Sequence, residues 1–278
     1  MPSTKLTGWR KGATAMWQEP NDPQIFGAIE LDAGPVRAFV DAARAAGHRV
    51  TPTHLVSRAV AHALAKVPDL NTRISLGRVI PRETVDVFII TAVESGRDLS
   101  GVKISRADEK SVFEVARELA ERARALKDRQ DPTFAKTKKL FDRLPMPALK
   151  AALRLSSWVT GVLDVDIKSL GVEHSPFGSA LITSVGMFGL PMGFAPLAWM
   201  YKVPLLVLIG EIADKPVAIE GKVLVRPMLP ITATIDHRYV DGFHISQLLH
   251  HFRAYLADPA AFEPKAKASA PTAAATRA

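Results

Sequence analysis

The sequence predicts an α+β fold, and three observations carry that prediction. Short β-rich runs and amphipathic helical stretches are interspersed along the 278 residues without a regular strand–helix–strand alternation. No glycine-rich phosphate loop follows any predicted strand, which argues against a doubly wound nucleotide-binding sheet. The hydrophobic fraction of 47% and the charged fraction of 23% are those of an ordinary globular protein able to bury a sizeable core.

Capping residues mark the starts of three predicted helices. They are Asp32 for a helix over about 35–46, Thr51 followed by Pro52, and Ser111 paired with Glu114. The second of these helices has an apolar stripe from Leu55 to Val67 and ends at Pro68. A closing helix begins near His244 and ends before Pro259.

Strand signals lie between these helices. They are residues 25–32, the runs ISLGRVI and TVDVFIITAV between 73 and 104, SALITSVGMFG, the stretch 204–213, a hairpin that turns at Glu220-Gly221, and LPITATID. The last of these strands leads directly into His237. The β-structure is therefore spread along the chain rather than gathered in one block.

Composition excludes several classes of protein. Without cysteine there is no disulfide framework, no thiolate metal site and no cysteine nucleophile, and we expect a cytoplasmic protein. The net charge of +8 comes from scattered lysines and arginines with no nucleic-acid-binding motif, so no nucleic-acid partner is predicted. The excess charge indicates a solvated basic surface, and it would also favour a polyphosphate-bearing ligand such as coenzyme A.

No membrane-spanning segment is predicted. The N-terminal residues lack the apolar core of a secretory signal. The most apolar stretch, from Phe194 to Ala213, is interrupted by Pro196, Lys202 and Pro204, whereas a span needs roughly 20 uninterrupted apolar residues. We predict a loop followed by a buried strand there.

A single domain is predicted over residues 1–262, followed by a flexible tail rich in Ala, Lys and Pro over 263–278. Residues 129–175 form a predicted helical insert that starts polar and becomes apolar. Two interpretations stay open for this insert. It is either an additional helical pair packed on the domain, or part of a binding pocket or lid that favours a hydrophobic group.

The segment TATIDHRYVDGFHI, residues 232–245, contains the most informative chemistry. It places His237 at the end of a strand, Asp241 four residues later, and Gly242 before a helix. An imidazole held in one orientation suits a general base, but the same spacing also suits a structural hydrogen-bonded pair. A metal site is not predicted, because the histidines that follow lie on a helix whose leucine stripe explains their spacing.

DHRYVDG resembles the DHRxxDG signature of the acyltransferase (E2) subunits of 2-oxo acid dehydrogenase complexes, and DGFHI resembles a segment of chloramphenicol acetyltransferases. AVAHALAKVPDLNTRI, LITSVGMFG and VPLLVLIGEI resemble further segments of this family in the same order, over about residues 8–128 and 176–262. The resemblance implies a chloramphenicol acetyltransferase-like two-layer α+β fold, with a mixed β-sheet flanked by helices, that forms trimers.

The resemblance also implies roles for individual residues. His237 matches the family's general base, and Thr183 stands where the family has a serine that donates to the oxyanion of the tetrahedral intermediate. Asp241 matches a structural aspartate that pairs with an arginine, for which Arg10 in GWRKG is the candidate. Gly242 is expected to let the turn pack closely against the base.

The implied activity is transfer of an acyl group between coenzyme A and a thiol or hydroxyl acceptor, with coenzyme A as substrate and no metal. A lipoyl domain is not found in this chain, so we expect no lipoyl group on it and either a lipoyl-domain protein in trans or a small molecule as acceptor. The resemblance implies a homotrimer in which adjacent chains contribute Thr183 and His237. The alternative is a catalytically silent trimeric scaffold that binds partners.

Overall fold

The computed structural model describes residues 22–93, 98–127, 145–167, 174–197 and 202–264. Arg10 and the predicted tail beyond residue 264 lie outside these ranges, as does most of the polar first half of the predicted insert.

Nine strands and six helices make up the described part of the chain. The strands are β1 (Gln24–Asp32), β2 (Thr72–Ser75), β3 (Arg78–Pro81), β4 (Val87–Val93), β5 (Asp98–Ile104), β6 (Ala180–Ser184), β7 (Leu205–Ile209), β8 (Ala213–Ile219) and β9 (Lys222–Asp236). The helices are α1 (Gly34–Ala45), α2 (Pro52–Lys66), α3 (Val112–Lys127), α4 (Met146–Gly161), α5 (Gly242–Ala257) and α6 (Pro259–Phe262), with 3-10 turns at Pro68–Leu70 and Gly186–Phe188.

Seven strands form one mixed sheet in the order β1-β9-β7-β6-β4-β5, with β8 paired to β9. Strand β6 runs parallel to β4 and β7, while the other pairs are antiparallel. Strands β2 and β3 form a separate hairpin. The α+β prediction, with a mixed sheet flanked by helices, is confirmed.

The main core lies between one face of the sheet and helices α1, α2, α3 and α5. Val56 and Val60 of α2 pack there against sheet residues such as Ile89, Ile182 and Val207. Because side chains alternate along a strand, the intervening residues form a second, smaller cluster on the opposite face. The helix-covered face therefore buries most of the apolar surface.

The predicted helix starts are confirmed. The Asp32 carboxylate accepts a hydrogen bond from the Gly34 backbone N–H at 2.7 Å. Ser111 and Glu114 exchange bonds: the Glu114 N–H donates to Ser111 Oγ at 3.3 Å, and the Ser111 N–H donates to Glu114 Oε2 at 2.8 Å. These contacts satisfy backbone N–H groups that lack a partner in the first turn of a helix.

The apolar half of the predicted insert contains helix α4. The chain after α4 is tied to the β2–β3 hairpin, because the Val162 carbonyl accepts from Arg73 Nη1 at 2.9 Å and from Ser75 Oγ at 2.6 Å. Arg73 also pairs with Asp164 at 3.3 Å. The suggestion that the insert shapes an acceptor pocket stays a prediction.

In the described ranges no helix is long and apolar enough to cross a membrane. The apolar stretch that begins at Phe194 is a loop as far as Leu197, and its later part is the buried strand β7, as predicted.

The predicted tail boundary is wrong at Glu263, which belongs to the folded domain. Its side chain is fully buried and lies 3.3 Å from Arg58, itself buried in α2. Glu263 accepts from the Val112 N–H at the start of α3 at 2.7 Å and from the Tyr255 hydroxyl. Burial raises the pKa of Glu263. A charged residue near an Ala-rich tail gives no local signal of burial, since its partners are far away in sequence.

Replacing Glu263 by alanine is expected to lower the free energy of unfolding by about 3–5 kcal/mol, because it leaves the buried Arg58 charge unpaired. Glu263→Gln keeps the side-chain volume and an acceptor for Val112, so a smaller loss is expected. Urea unfolding of both variants measures the difference, with Glu211→Ala at an exposed position as control. A loss below about 1 kcal/mol for Glu263→Ala would show that the buried pair does not stabilise the domain.

Candidate active site

His237 lies in a tight turn that directly follows β9. Its backbone N–H donates to the Pro23 carbonyl at 2.9 Å, and the preceding Asp236 N–H donates to the Pro204 carbonyl at 2.9 Å. The Tyr239 N–H closes the turn on the Asp236 carbonyl at 3.0 Å. The His237 side chain is exposed. The result is an accessible imidazole on backbone anchored to two neighbouring segments.

An ion pair between Asp236 and Arg238 braces this turn. The buried Asp236 carboxylate accepts from the Arg238 backbone N–H at 3.0 Å and from its guanidinium at 2.9 and 2.5 Å. The bond to Asp236 raises the pKa of Arg238. Sequence reasoning missed this pair, although an aspartate and an arginine on either side of the histidine were a visible signal.

Asp241 caps helix α5. Its carboxylate accepts from the backbone N–H groups of Phe243 and His244 at 3.0 and 3.3 Å, and it lies 2.7 Å from His244 Nδ1. The bonds from His244 hold the pKa of Asp241 below its usual range. The carboxylate is thus directed at His244. The expected partner, Arg10, lies outside the described residues, so that pairing stays a prediction.

Gly242 does not have the packing role expected of it within one chain. A Cβ atom built at this position would meet no other atom within 4 Å, so space around it is open. The close approach was inferred from the turn alone, whereas the turn at His237 is in fact held by Pro23 and Pro204.

Thr183 lies near the end of β6, opposite Leu208 of β7. It follows Ile182, which packs into the main core, and it is the second-last residue of the strand. It is partly buried. The backbone at Thr183 is held by its pairing with β7, which suits a preorganised hydrogen-bond donor.

Two glycines determine the path of the chain after Thr183. A Cβ at Gly186 would lie 2.5 Å from the Gly210 carbonyl oxygen, and a Cβ at Gly210 would lie 2.1 Å from the Pro191 carbonyl oxygen. Only glycine permits this close backbone approach. The Val185 N–H also donates to the Ile209 carbonyl at 2.9 Å, which ties the turn after β6 to the end of β7.

A cavity of about 410 Å³ adjoins this strand end, between the start of α2, helix α3 and strands β4 and β6. Its lining includes Thr183, Thr91 and His54. The Thr91 hydroxyl is buried and has no hydrogen-bond partner within the described chain. Burial lowers the pKa of His54 to about 4, so its ring is neutral at physiological pH. His54 Nδ1 accepts from the Thr51 N–H at 3.1 Å, which leaves Nε2 as a donor.

Within one chain the structure does not bring Thr183 and His237 together. Thr183 pairs with Leu208 and Ile235 pairs with Leu205, so His237 lies five residues further along the sheet and two strands away. At about 3.3 Å per residue and 4.8 Å per strand, the two Cα atoms are about 19 Å apart. A base and an oxyanion donor at opposite ends of nearby strands in one sheet cannot act on the same carbonyl.

The family model for the catalytic domain of 2-oxoacid dehydrogenases acyltransferase matches residues 4–132 and 165–263. These two blocks make up most of the chain and include both β6 and the His237 turn. The chain belongs to this family. The match leaves out most of the predicted insert.

Individual relatives agree with this assignment. The chain is 28% identical over 263 residues to the dihydrolipoyllysine-residue acetyltransferase component of the pyruvate dehydrogenase complex of Bacillus subtilis. The aligned region covers 92% of this chain and 50% of that protein. The chain thus spans about half the length of that curated relative.

Solved structures show the same fold. A probable dihydrolipoamide acetyltransferase from Listeria monocytogenes superposes with a TM-score of 0.62 at 22% identity, over 92% of this chain and 94% of that one. The cubic core of the pyruvate dehydrogenase multienzyme complex superposes with a TM-score of 0.63 at 20% identity, over 87% of this chain and 84% of that one. The α+β architecture expected from the sequence, a mixed sheet flanked by helices, is therefore shared with these solved structures.

Proposed function

We propose that this protein is an acyltransferase that moves an acyl group between coenzyme A and a thiol or hydroxyl acceptor, with His237 as general base. The observation that carries the proposal is the exposed His237 imidazole on a turn anchored through Pro23 and braced by Arg238. An accessible imidazole carried on an anchored backbone turn meets the structural requirements of a base. The family to which the chain belongs supports this reading.

The proposed step transfers one acyl group and conserves all atoms. His237 takes the proton of the acceptor thiol or hydroxyl, and the acceptor sulfur or oxygen forms a bond to the thioester carbonyl carbon. Thr183 donates to the resulting oxyanion. The bond from carbon to the coenzyme A sulfur then breaks, and His237 returns the proton to that sulfur. The products are the acylated acceptor and free coenzyme A, and the reverse direction uses the same groups.

Because about 19 Å separates Thr183 and His237 within one chain, we propose that the two residues of one site come from different chains. A cyclic homotrimer meets this need, because in a ring each chain presents one surface to the next copy and a different surface to the previous one. Three equivalent sites would then form, each with Thr183 from one chain and His237 from its neighbour. Both residues are accessible enough for this, since His237 is exposed and Thr183 is only partly buried.

The substrates follow from the proposed chemistry. Coenzyme A is a substrate rather than a resident cofactor, and its phosphates suit a protein of net charge +8. The name of the Bacillus relative suggests acetyl as one acyl group and a dihydrolipoyl group as one acceptor. We propose a lipoyl-domain protein acting in trans as a natural form of that acceptor. No step in the proposal uses a metal.

Release of coenzyme A from acetyl-CoA and longer acyl-CoAs, with dihydrolipoamide as acceptor, tests the function directly. We expect steady turnover that depends on both substrates. If no coenzyme A is released, acyl-CoA binding is measured by calorimetry. Binding without turnover would contradict dihydrolipoamide as acceptor, and the absence of any binding would contradict the acyltransferase proposal and favour a silent scaffold.

A further inference from the structure

A second cavity, of about 230 Å³, lies inside the main core between the sheet and helices α2 and α5. It belongs neither to the His237 turn nor to the cavity beside Thr183. Strands β1, β7 and β9 form its floor. Its roof is Val60 of α2 together with Ile245, Leu248, Leu249 and Phe252 of α5.

The lining of this cavity is apolar. Among the described residues that line it, Thr232 has the one polar side chain, and its hydroxyl donates to the Gly193 carbonyl and is therefore already satisfied. A buried water needs two to four polar partners, and this lining does not offer them. Cavities of this kind stay dry and bind apolar molecules.

Small residues on the floor create the space. Gly27 of β1 shares the core-facing side of its strand with Ile25 and Ile29, and a Cβ built on it would meet no atom within 4 Å. Opposite Gly27 in the sheet lies another small residue, Ala233. A well-packed core would fill this volume, because unfilled cavities destabilise a protein in proportion to their size.

The lining of the cavity reaches residues on both sides of the proposed base in the chain, Ile235 and Ile245. Along β9 it extends from Ile231 to Ile235, a span of about 13 Å at 3.3 Å per residue. Ile235 precedes His237 by two residues. Ile245 lies in the first turn of α5, which follows the His237 turn in the chain. At roughly 30 Å³ for a group the size of a water molecule, the cavity has room for seven or eight such groups.

We propose that this cavity binds the alkyl chain of a medium-length acyl group, of about eight carbons, whose thioester lies at His237. The chemistry at the thioester rests on the function proposed above, whereas the apolar site does not. The cavity beside Thr183 is less suited to an alkyl chain, because its wall includes the unpartnered Thr91 hydroxyl and the neutral His54 ring.

Calorimetric binding of octanoyl-CoA and acetyl-CoA tests the site without requiring turnover. For the unmodified protein we expect octanoyl-CoA to bind at least about tenfold more tightly than acetyl-CoA, since each buried methylene adds affinity. Gly27→Leu fills the cavity from its floor and should abolish that difference. Its melting temperature should not fall, because the new side chain enters open space and glycine is unfavourable within a strand.

Two further variants keep the result interpretable. Ala233→Leu fills the same space from β9 and should act like Gly27→Leu. Ala254→Leu adds the same side chain to the exposed side of α5 and should leave the preference for octanoyl-CoA intact.

Failure of this inference and failure of the proposed function give different results. If acetyl-CoA is turned over but octanoyl-CoA binds no more tightly, or if Gly27→Leu keeps the full preference, the alkyl site is overturned and the function stands. Octanoyl-CoA is also expected to bind no more tightly than acetyl-CoA if another part of the chain fills the cavity in solution, and this too would overturn the alkyl site. If no acyl-CoA is turned over but Gly27→Leu still removes tight octanoyl-CoA binding, the site stands and the function fails.

Discussion

Replacing His237 by alanine is expected to lower the rate of coenzyme A release by about 10²–10⁴-fold, the usual contribution of a positioned general base. The side chain is exposed and the turn is held by backbone bonds to Pro23, so the fold should be unaffected. The effect should fall on kcat for every acyl-CoA, because the proton transfer is common to all of them.

His250→Ala is the matched control for this variant, since His250 is an exposed histidine on α5 outside the turn. It should retain full activity. A His237→Ala protein that turns over within tenfold of the parent would remove His237 from the mechanism, provided that both proteins melt at the same temperature.

Replacing Thr183 by valine should lower kcat by about 10²–10³-fold, because one oxyanion donor is lost while the side-chain shape is kept. Valine also preserves the strand propensity of β6. Thr183→Ser retains the hydroxyl and should remain within about tenfold of the parent.

A comparison of kcat and KM for acetyl-CoA separates a catalytic from a structural role for Thr183. Loss of an interaction made only in the transition state lowers kcat and kcat/KM alike and leaves KM unchanged. If Thr183→Val instead raises KM at constant kcat, or if Thr183→Ser is as impaired as Thr183→Val, the oxyanion assignment is wrong.

Local features of the fold could be predicted from the sequence, and non-local ones could not. The starts of α1, α2 and α3 follow from capping residues such as Asp32 and Ser111 that act within a few positions. The pairing of β1 with β9 joins segments about 200 residues apart, and no local signal specifies it. The burial of Glu263 is a similar case, because its partner Arg58 is distant in sequence.

The same distinction applies to the candidate site. The strand–turn–helix around His237 is encoded by contiguous residues and was predicted. The contact between Asp241 and His244 was not predicted, because it depends on the helix register in three dimensions. Likewise, Gly242 was expected to allow close packing, whereas Gly186 and Gly210 are the glycines at which backbone segments meet.

The central claim is that each active site combines Thr183 of one chain with His237 of another, and mixed oligomers test it most directly. His237→Ala and Thr183→Val proteins are each expected to be nearly inactive when purified alone. Co-expressed at equal levels, they should form mixed trimers in which about a quarter of the interfaces carry both intact residues. Coenzyme A release by the mixture should therefore recover to about a quarter of the parent rate. A mixture no more active than its separate components would contradict a site shared between chains.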